Sequence, residues 1–106
     1  MKKEQLETLM RVIGPEKKYL SDGYYRIREV DENRKELAFL KPDGCGTTTV
    51  TPQITIEKQG DNWLPIKFID MGSSPTKMLI RDEKTEQLLD EELVILVEKM
   101  LSALKK

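Results

Sequence analysis

The residues best suited to chemistry lie in a glycine-rich loop at the middle of the chain, residues 43–49. Glycines let the backbone approach a ligand closely, and threonine hydroxyls can donate hydrogen bonds to an anion. A thiol flanked by glycines can also act as a nucleophile. The loop is therefore a candidate ligand site, formed by Gly44, Cys45, Gly46, Thr47 and Thr48.

Composition favours a structural interpretation of this loop, as a turn in which Cys45 is a small apolar filler. The chain contains no histidine, so no Ser-His or Cys-His pair can activate a nucleophile. No Gly-Lys-Ser or Gly-Lys-Thr sequence follows the glycines, as a P-loop requires. A single cysteine cannot build a disulfide or a multi-cysteine metal site. We expect no catalytic residue, metal or cofactor; an enzyme using Cys45 or carboxylates is the third hypothesis.

A second candidate site lies on the strand that begins at Tyr24. Strand alternation sends Tyr24, Arg26 and Arg28 to one face. An aromatic ring beside two guanidiniums can stack on a base and pair with a phosphate or carboxylate. The alternative is a solvated face on which the arginines pair with Glu36 or Glu57 of neighbouring strands.

The elements that must position these residues follow from hydrophobic periodicity. Residues 3–13 have apolar positions at helical spacing, and Gly14-Pro15 ends that helix. Alternating segments predict antiparallel strands at residues 24–30, 37–41, 50–58, 63–70 and 76–82. Residues 83–89 fit either a further hairpin or a helix, and we favour the hairpin. The prediction is an α+β fold: an antiparallel sheet of about five or six strands, with an N-terminal and a C-terminal amphipathic helix on one face.

The strand at residues 50–58 shows the clearest two-residue period. It predicts that Val50, Ile54 and Ile56 share the core face. Pro52 cannot donate a ladder hydrogen bond, so the strand is expected at a sheet edge or bent at this residue.

The only tryptophan, Trp63, is a candidate interface residue. If Leu64, Ile66 and Phe68 face the core, Trp63 faces the other way, and exposed tryptophans are typical of binding hot spots. The alternative is a core tryptophan, with the strand register shifted by one residue.

The last segment predicts an amphipathic helix that begins at Asp90 as its N-cap. Its apolar stripe contains Leu93, Leu96, Val97, Met100, Leu101 and Leu104. Val94 and Ile95 widen the stripe beyond the ~100° that packing on one sheet face needs. Either the helix is clamped between the sheet and the first helix, or Val94 and Ile95 face a second subunit.

Charge and hydropathy complete the functional expectations for this single domain. The net charge is −1, whereas general nucleic-acid binders usually carry a basic excess, so we expect no binding to generic duplex nucleic acid. No membrane span or signal peptide is expected, which predicts a cytoplasmic protein. Elimination favours a small non-enzymatic binding or regulatory protein that acts through protein contacts, as a homodimer. The alternative is a receptor for a small anionic or nucleotide ligand at Tyr24, Arg26, Arg28 and the Gly44–Thr49 loop.

Overall fold

In chain order, the fold begins with a helix, continues with the strands of one antiparallel sheet and ends with a second helix. The computed structural model describes residues 3–20, 22–42, 46–72 and 75–105. The elements are α1 (Lys3–Val12), β1 (Lys18–Leu20), β2 (Gly23–Asp31), β3 (Arg34–Pro42), β4 (Thr48–Gln59), β5 (Asn62–Asp70), β6 (Lys77–Ile80) and α2 (Glu86–Leu104). The strands pair in chain order as one six-stranded sheet, which confirms the predicted α+β class. No helix in the described part of the chain is long and apolar enough to cross a membrane.

A single hydrophobic cluster joins the sheet to both helices. The strands contribute mainly alternate residues, as a half-buried sheet requires: Tyr25, Ile27, Leu37, Phe39, Ile54, Ile56, Trp63 and Phe68. The helices contribute Leu6, Leu9, Ile13, Leu89, Leu93, Leu96, Val97, Met100 and Ala103. Burying this apolar area, at about 25 cal/mol per Å², is the main force that holds the helices to the sheet.

An irregularity in β4 changes which residues face the core. Ala38 and Leu40 of β3 pair with Gln53 and Val50 of β4, so β4 carries one extra residue between these pairs. Val50 therefore shares a face with Gln53, and the prediction that it points with the two buried isoleucines of β4 is wrong. Pro52 lies within this irregularity, and β4 is an inner strand, so the edge position predicted as one alternative for Pro52 is wrong.

A second irregularity, in β5, reverses the predicted orientation of Trp63. Pro65 and Lys67 pair with consecutive residues of β4, which leaves Ile66 as an extra residue. The residues before Ile66 therefore face opposite to the simple alternation. Trp63 is only 6% exposed and belongs to the core, whereas Leu64 is half-buried. The outward orientation predicted for Trp63 is wrong, and its alternative, a core tryptophan with the strand register shifted by one residue, is right.

The hairpin favoured for residues 83–89 is also wrong, because a polar turn redirects the chain into α2 there. The Asp82 carboxylate accepts hydrogen bonds from the backbone N–H groups of Lys84 and Thr85, at 2.7 and 2.9 Å. The hydrogen bond from the Lys84 N–H lowers the pKa of the Asp82 carboxyl most, and the one from the Thr85 N–H lowers it further. The carbonyl oxygen of Asp82 also accepts from the backbone N–H groups of Thr85 and Glu86. Side chain and backbone of Asp82 thus fix the turn together, and the helix begins at Glu86.

Gly23, at the start of β2, leaves no room for a side chain. A Cβ there would lie 2.5 and 2.7 Å from two ring carbons of Phe39 and 3.1 Å from the carbonyl oxygen of Leu40. Phe39 is itself buried, so its ring cannot move aside freely. We expect Gly23→Ala to lower the free energy of unfolding by about 1–3 kcal/mol, measured by urea denaturation.

The matched control is Gly14→Ala, since a Cβ on Gly14 meets nothing within 4 Å. That variant should be unchanged or more stable by about 0.4–1 kcal/mol. Equal stability of the two variants would contradict the steric account of Gly23.

Asp22, between β1 and β2, fastens this end of the sheet to α2. Its carboxylate accepts a hydrogen bond from Lys99 Nζ at 2.9 Å and another from the Tyr25 hydroxyl at 3.0 Å. The Lys99 hydrogen bond, chiefly, lowers the pKa of Asp22 below its ordinary value of 3.8. Burial raises the pKa of the Tyr25 hydroxyl, and its hydrogen bond to the negatively charged Asp22 raises it further.

The lowered pKa makes this contact pH-dependent. A carboxyl whose pKa is lower in the folded state stabilises the fold above its unfolded pKa of about 4, and the stabilisation is lost as the pH falls through the folded value. Wild type should therefore unfold at a higher temperature than Asp22→Asn near pH 7, and this difference should disappear on acidification. The turn variant Asp61→Asn is the control. A difference that persists at the acidic end would show that the contact does not depend on the ionised carboxylate.

Candidate functional site

The register places the predicted strand residues Tyr24, Arg26 and Arg28 on one face of β2. Arg28 is paired with Glu36 of β3. Its Nε and Nη2 atoms donate to Glu36 Oε1 at 3.0 and 2.7 Å. This is the cross-strand pairing that the structural interpretation of the strand anticipated. Arg34 is similarly paired with Glu57, at 3.1 Å.

A polar network extends from this ion pair across three strands. Arg26 Nη2 donates to Gln53 Oε1 at 2.9 Å, and Gln53 Nε2 donates to Glu36 Oε2 at 3.0 Å. Arg26 Nε is buried without a hydrogen-bond partner among the described residues. Burial lowers the pKa of the Arg26 guanidinium, and the nearby charge of Arg28 lowers it further. Arg26 is therefore held in place by the network while part of its donor capacity stays unused.

The aromatic part of this site is already in contact with neighbouring side chains. The Tyr24 ring meets the Tyr19 ring edge-on, with centroids 5.3 Å apart. Lys17 Nζ lies 5.0 Å from the Tyr24 ring centroid. Arg26 follows two residues later on the same face of β2, so this face carries an aromatic ring and positive charges, a combination suited to a small anion.

The glycine-rich loop is described only at its far end. Gly44 and Cys45 lie outside the described residues. Gly46 has a φ of +82°, a conformation that favours glycine, and Thr47 is exposed. Thr48 begins β4 opposite Pro42. The described part of the loop thus lies at the Tyr24 end of the sheet, since Tyr24 pairs with β3 near the same end.

An apolar groove between α2 and β5 is the second candidate site. It has a volume of about 270 Å³ and is lined mainly by apolar side chains, including Leu64, Pro65, Leu93, Val97 and Leu101. We call this feature the α2 groove. Its apolar lining can take a side chain or a short segment from a binding partner.

Arg81 holds one end of the α2 groove together. Its Nη1 atom donates to the Pro65 carbonyl oxygen and to Asp90 Oδ1, both at 3.0 Å. Asp90 is thus one turn inside α2, and the N-cap is Thr85. The N-cap role predicted for Asp90 is wrong because the Asp82 turn starts the helix earlier.

The exposed side of α2 carries large apolar residues next to this groove. Val94, which also lines it, is 54% exposed, and Ile95, on the surface beside Val94, is 58% exposed. Leu93, Leu96, Val97 and Met100, which the helical stripe predicts to be buried, are buried. Val94 and Ile95 are exposed and do not contribute to the core. Their interface role stays a prediction.

Sequence reasoning missed several of the residues that form these two sites. Leu64 and Pro65 were missed as groove residues because the extra residue Ile66 is invisible in the alternation pattern. Gln53, in the strand predicted at residues 50–58, was not predicted as a site residue, although a glutamine between charged strands can bridge them. Glu98 lines the groove, and its seven-residue spacing from Glu91 could have placed both on the side of α2 that carries Val94 and Ile95.

The described residues contain no group of three or more His, Cys, Asp or Glu side chains that could hold a metal ion. Comparison with protein-family models, with curated proteins and with solved structures finds no match to this chain.

Proposed function

We propose that this protein is a small non-enzymatic binding protein that acts through protein contacts on the exposed side of α2. The observation that carries the proposal is the α2 groove, with the large exposed side chains of Val94 and Ile95 beside it. Single exposed apolar residues are ordinary on protein surfaces. Exposed residues that border an apolar groove form a continuous surface, which is typical of protein interaction sites.

The chemistry available to the chain agrees with a binding role. Without histidine and with one cysteine, the common nucleophile and base pairs cannot be assembled. In the most distinctive polar cluster, Glu36 accepts hydrogen bonds from Arg28 and Gln53 of the two neighbouring strands. Such pairing suits a structural network better than a group held ready for proton transfer.

A second candidate function, binding of a small anionic or nucleotide ligand, rests on Arg26. Its buried Nε atom has no hydrogen-bond partner among the described residues, and buried polar groups are normally paired. The Tyr24 ring lies on the same face of β2, and Lys17 Nζ lies 5.0 Å from the centroid of that ring. A carboxylate or phosphate on this face would be attracted by the positive charges of Arg26 and Lys17.

Site-specific photo-crosslinking tests the first candidate. A photoreactive phenylalanine replaces Val94, and, as a control, replaces Val30, which is 51% exposed at the end of β2. Both proteins are irradiated in an extract of the cells that make the chain, and adducts are identified by mass spectrometry. We expect a discrete protein adduct from the Val94 position and none from the Val30 position.

A thermal-shift screen against nucleotides and phosphorylated metabolites tests the second candidate in parallel. If the first candidate is right, no ligand should raise the melting temperature. Stabilisation that Arg26→Gln abolishes, with no adduct from the Val94 position, would replace the protein-contact proposal with the ligand receptor. Sedimentation of the same samples tests the homodimer predicted from the sequence, and a dimer would make a second copy of this chain the partner at the exposed side of α2.

A further inference from the structure

We infer that the α2 groove binds a cationic amphipathic helix from a different protein, an inference that rests on the proposed function and specifies its partner. The chemistry recognised is an apolar face bordered by lysine or arginine. Three features of α2 lead to it: an apolar floor, an acidic rim, and charges that oppose pairing with a second copy of this chain.

The floor of the groove suits an aliphatic side chain. Leu93 and Val97 are buried at its base, while Leu64 and Leu101 are half-buried along its sides. Burying an additional leucine here would remove apolar surface from water on both partners. Residues three and four apart on a helix would fill the groove and also reach Val94, as in helix-in-groove recognition.

The rim of the groove is acidic. Asp90 and Glu98 line it, and Glu91 lies beside Val94 and Ile95 on the adjoining surface. Among the described residues that line the groove none is a lysine or arginine, and Arg81 lies at one end, where it contacts Pro65 and Asp90. Asp90 is already paired with Arg81. Glu91 and Glu98 are both exposed, and their spacing places them on one side of α2. A partner with positive charges on either side of its apolar stripe therefore complements this surface.

The same acids oppose the second copy as occupant. An antiparallel two-fold pairing that sets Val94 against the partner's Ile95 also sets Glu91 against the partner's Glu98, and repeats this contact by symmetry. A parallel two-fold pairing sets Glu91 and Glu98 each against its own counterpart. Both arrangements place like charges together next to the apolar contact, which is unfavourable.

Fluorescence anisotropy with defined peptides tests the inference. The probe is a labelled helical peptide of leucine and lysine about four turns long, with leucines three and four residues apart. Its partner probe has every lysine replaced by glutamate. We expect saturable binding of the lysine peptide to the full chain, and binding of the glutamate peptide weaker by at least about tenfold.

Variants of the chain separate the groove from general charge attraction. Glu98→Lys and Val94→Lys should each weaken binding of the lysine peptide by about tenfold or more. Glu32→Lys, which makes the same charge change as Glu98→Lys in the turn between β2 and β3, should leave the affinity unchanged. Circular dichroism checks that each variant is folded.

Three results would overturn the inference. They are failure of the lysine peptide to bind, binding that Glu98→Lys and Val94→Lys do not weaken, and a concentration-dependent dimer that Val94→Lys dissociates. A protein adduct at the Val94 position without lysine-peptide binding would reject the cationic helix alone. Absence of that adduct would reject the proposed function itself.

Discussion

Replacing Trp63 with alanine is expected to lower the free energy of unfolding by about 3–5 kcal/mol. The indole ring is 6% exposed and belongs to the hydrophobic core. It is also contacted by a largely buried cation, since Lys35 Nζ lies 5.5 Å from the ring centroid. Truncation would remove buried apolar area and leave a cavity beneath α1, where Leu6 and Met10 line the same pocket as Trp63. Urea denaturation measures the loss.

Tyr19→Ala is the matched control, because that ring is 57% exposed. It should change the free energy of unfolding by less than about 1 kcal/mol. Similar small losses for both variants would mean that Trp63 faces outward, as the simple alternation of its strand suggests, and would undermine the extra residue assigned to β5.

Two adjacent residues of α2, Leu96 and Ile95, are expected to respond in opposite ways. Leu96 is 1% exposed and Ile95 is 58% exposed. Leu96→Ala should therefore cost about 2–5 kcal/mol of stability through the cavity that it leaves. Ile95→Ala removes few buried contacts and should stay within about 0.5 kcal/mol of wild type. Urea denaturation of the two variants and of wild type measures both changes in the free energy of unfolding.

This comparison locates the boundary between the core of α2 and its exposed side. A large loss from Ile95→Ala would make Ile95 a core residue and would remove it from the proposed binding surface. A small loss from Leu96→Ala would show that α2 does not pack in the orientation described.

The course of the sheet could be predicted where alternation is regular. Tyr25 and Ile27 are buried, and Arg26 and Arg28 share the opposite face, because strand geometry determines both. Alternation failed at Val50 and Trp63, where one extra residue in the strand reverses every side chain before it. A pattern of period two contains no signal for such an insertion, since the sequence on either side still alternates.

The start of α2 shows a different limit of sequence reasoning. Asp82, Thr85 and Asp90 are all acceptable residues for the first turn of a helix or its cap. The structure distinguishes between these residues, because the Asp82 carboxylate accepts hydrogen bonds from the backbone N–H groups that precede the helix. The surplus apolar residues Val94 and Ile95 were visible from helical periodicity alone. The groove beside them was not, because it depends on how β5 lies against α2.

Chemical-shift mapping of the lysine peptide on the ¹⁵N-labelled chain tests the central claim most directly. The account predicts that amide shifts change first at Leu64, Val94, Val97 and Leu101, which line the α2 groove. Residues around Tyr24 and Arg26 should stay unshifted. Changes centred on Tyr24 and Arg26, or spread evenly over acidic residues outside the groove, would contradict the account.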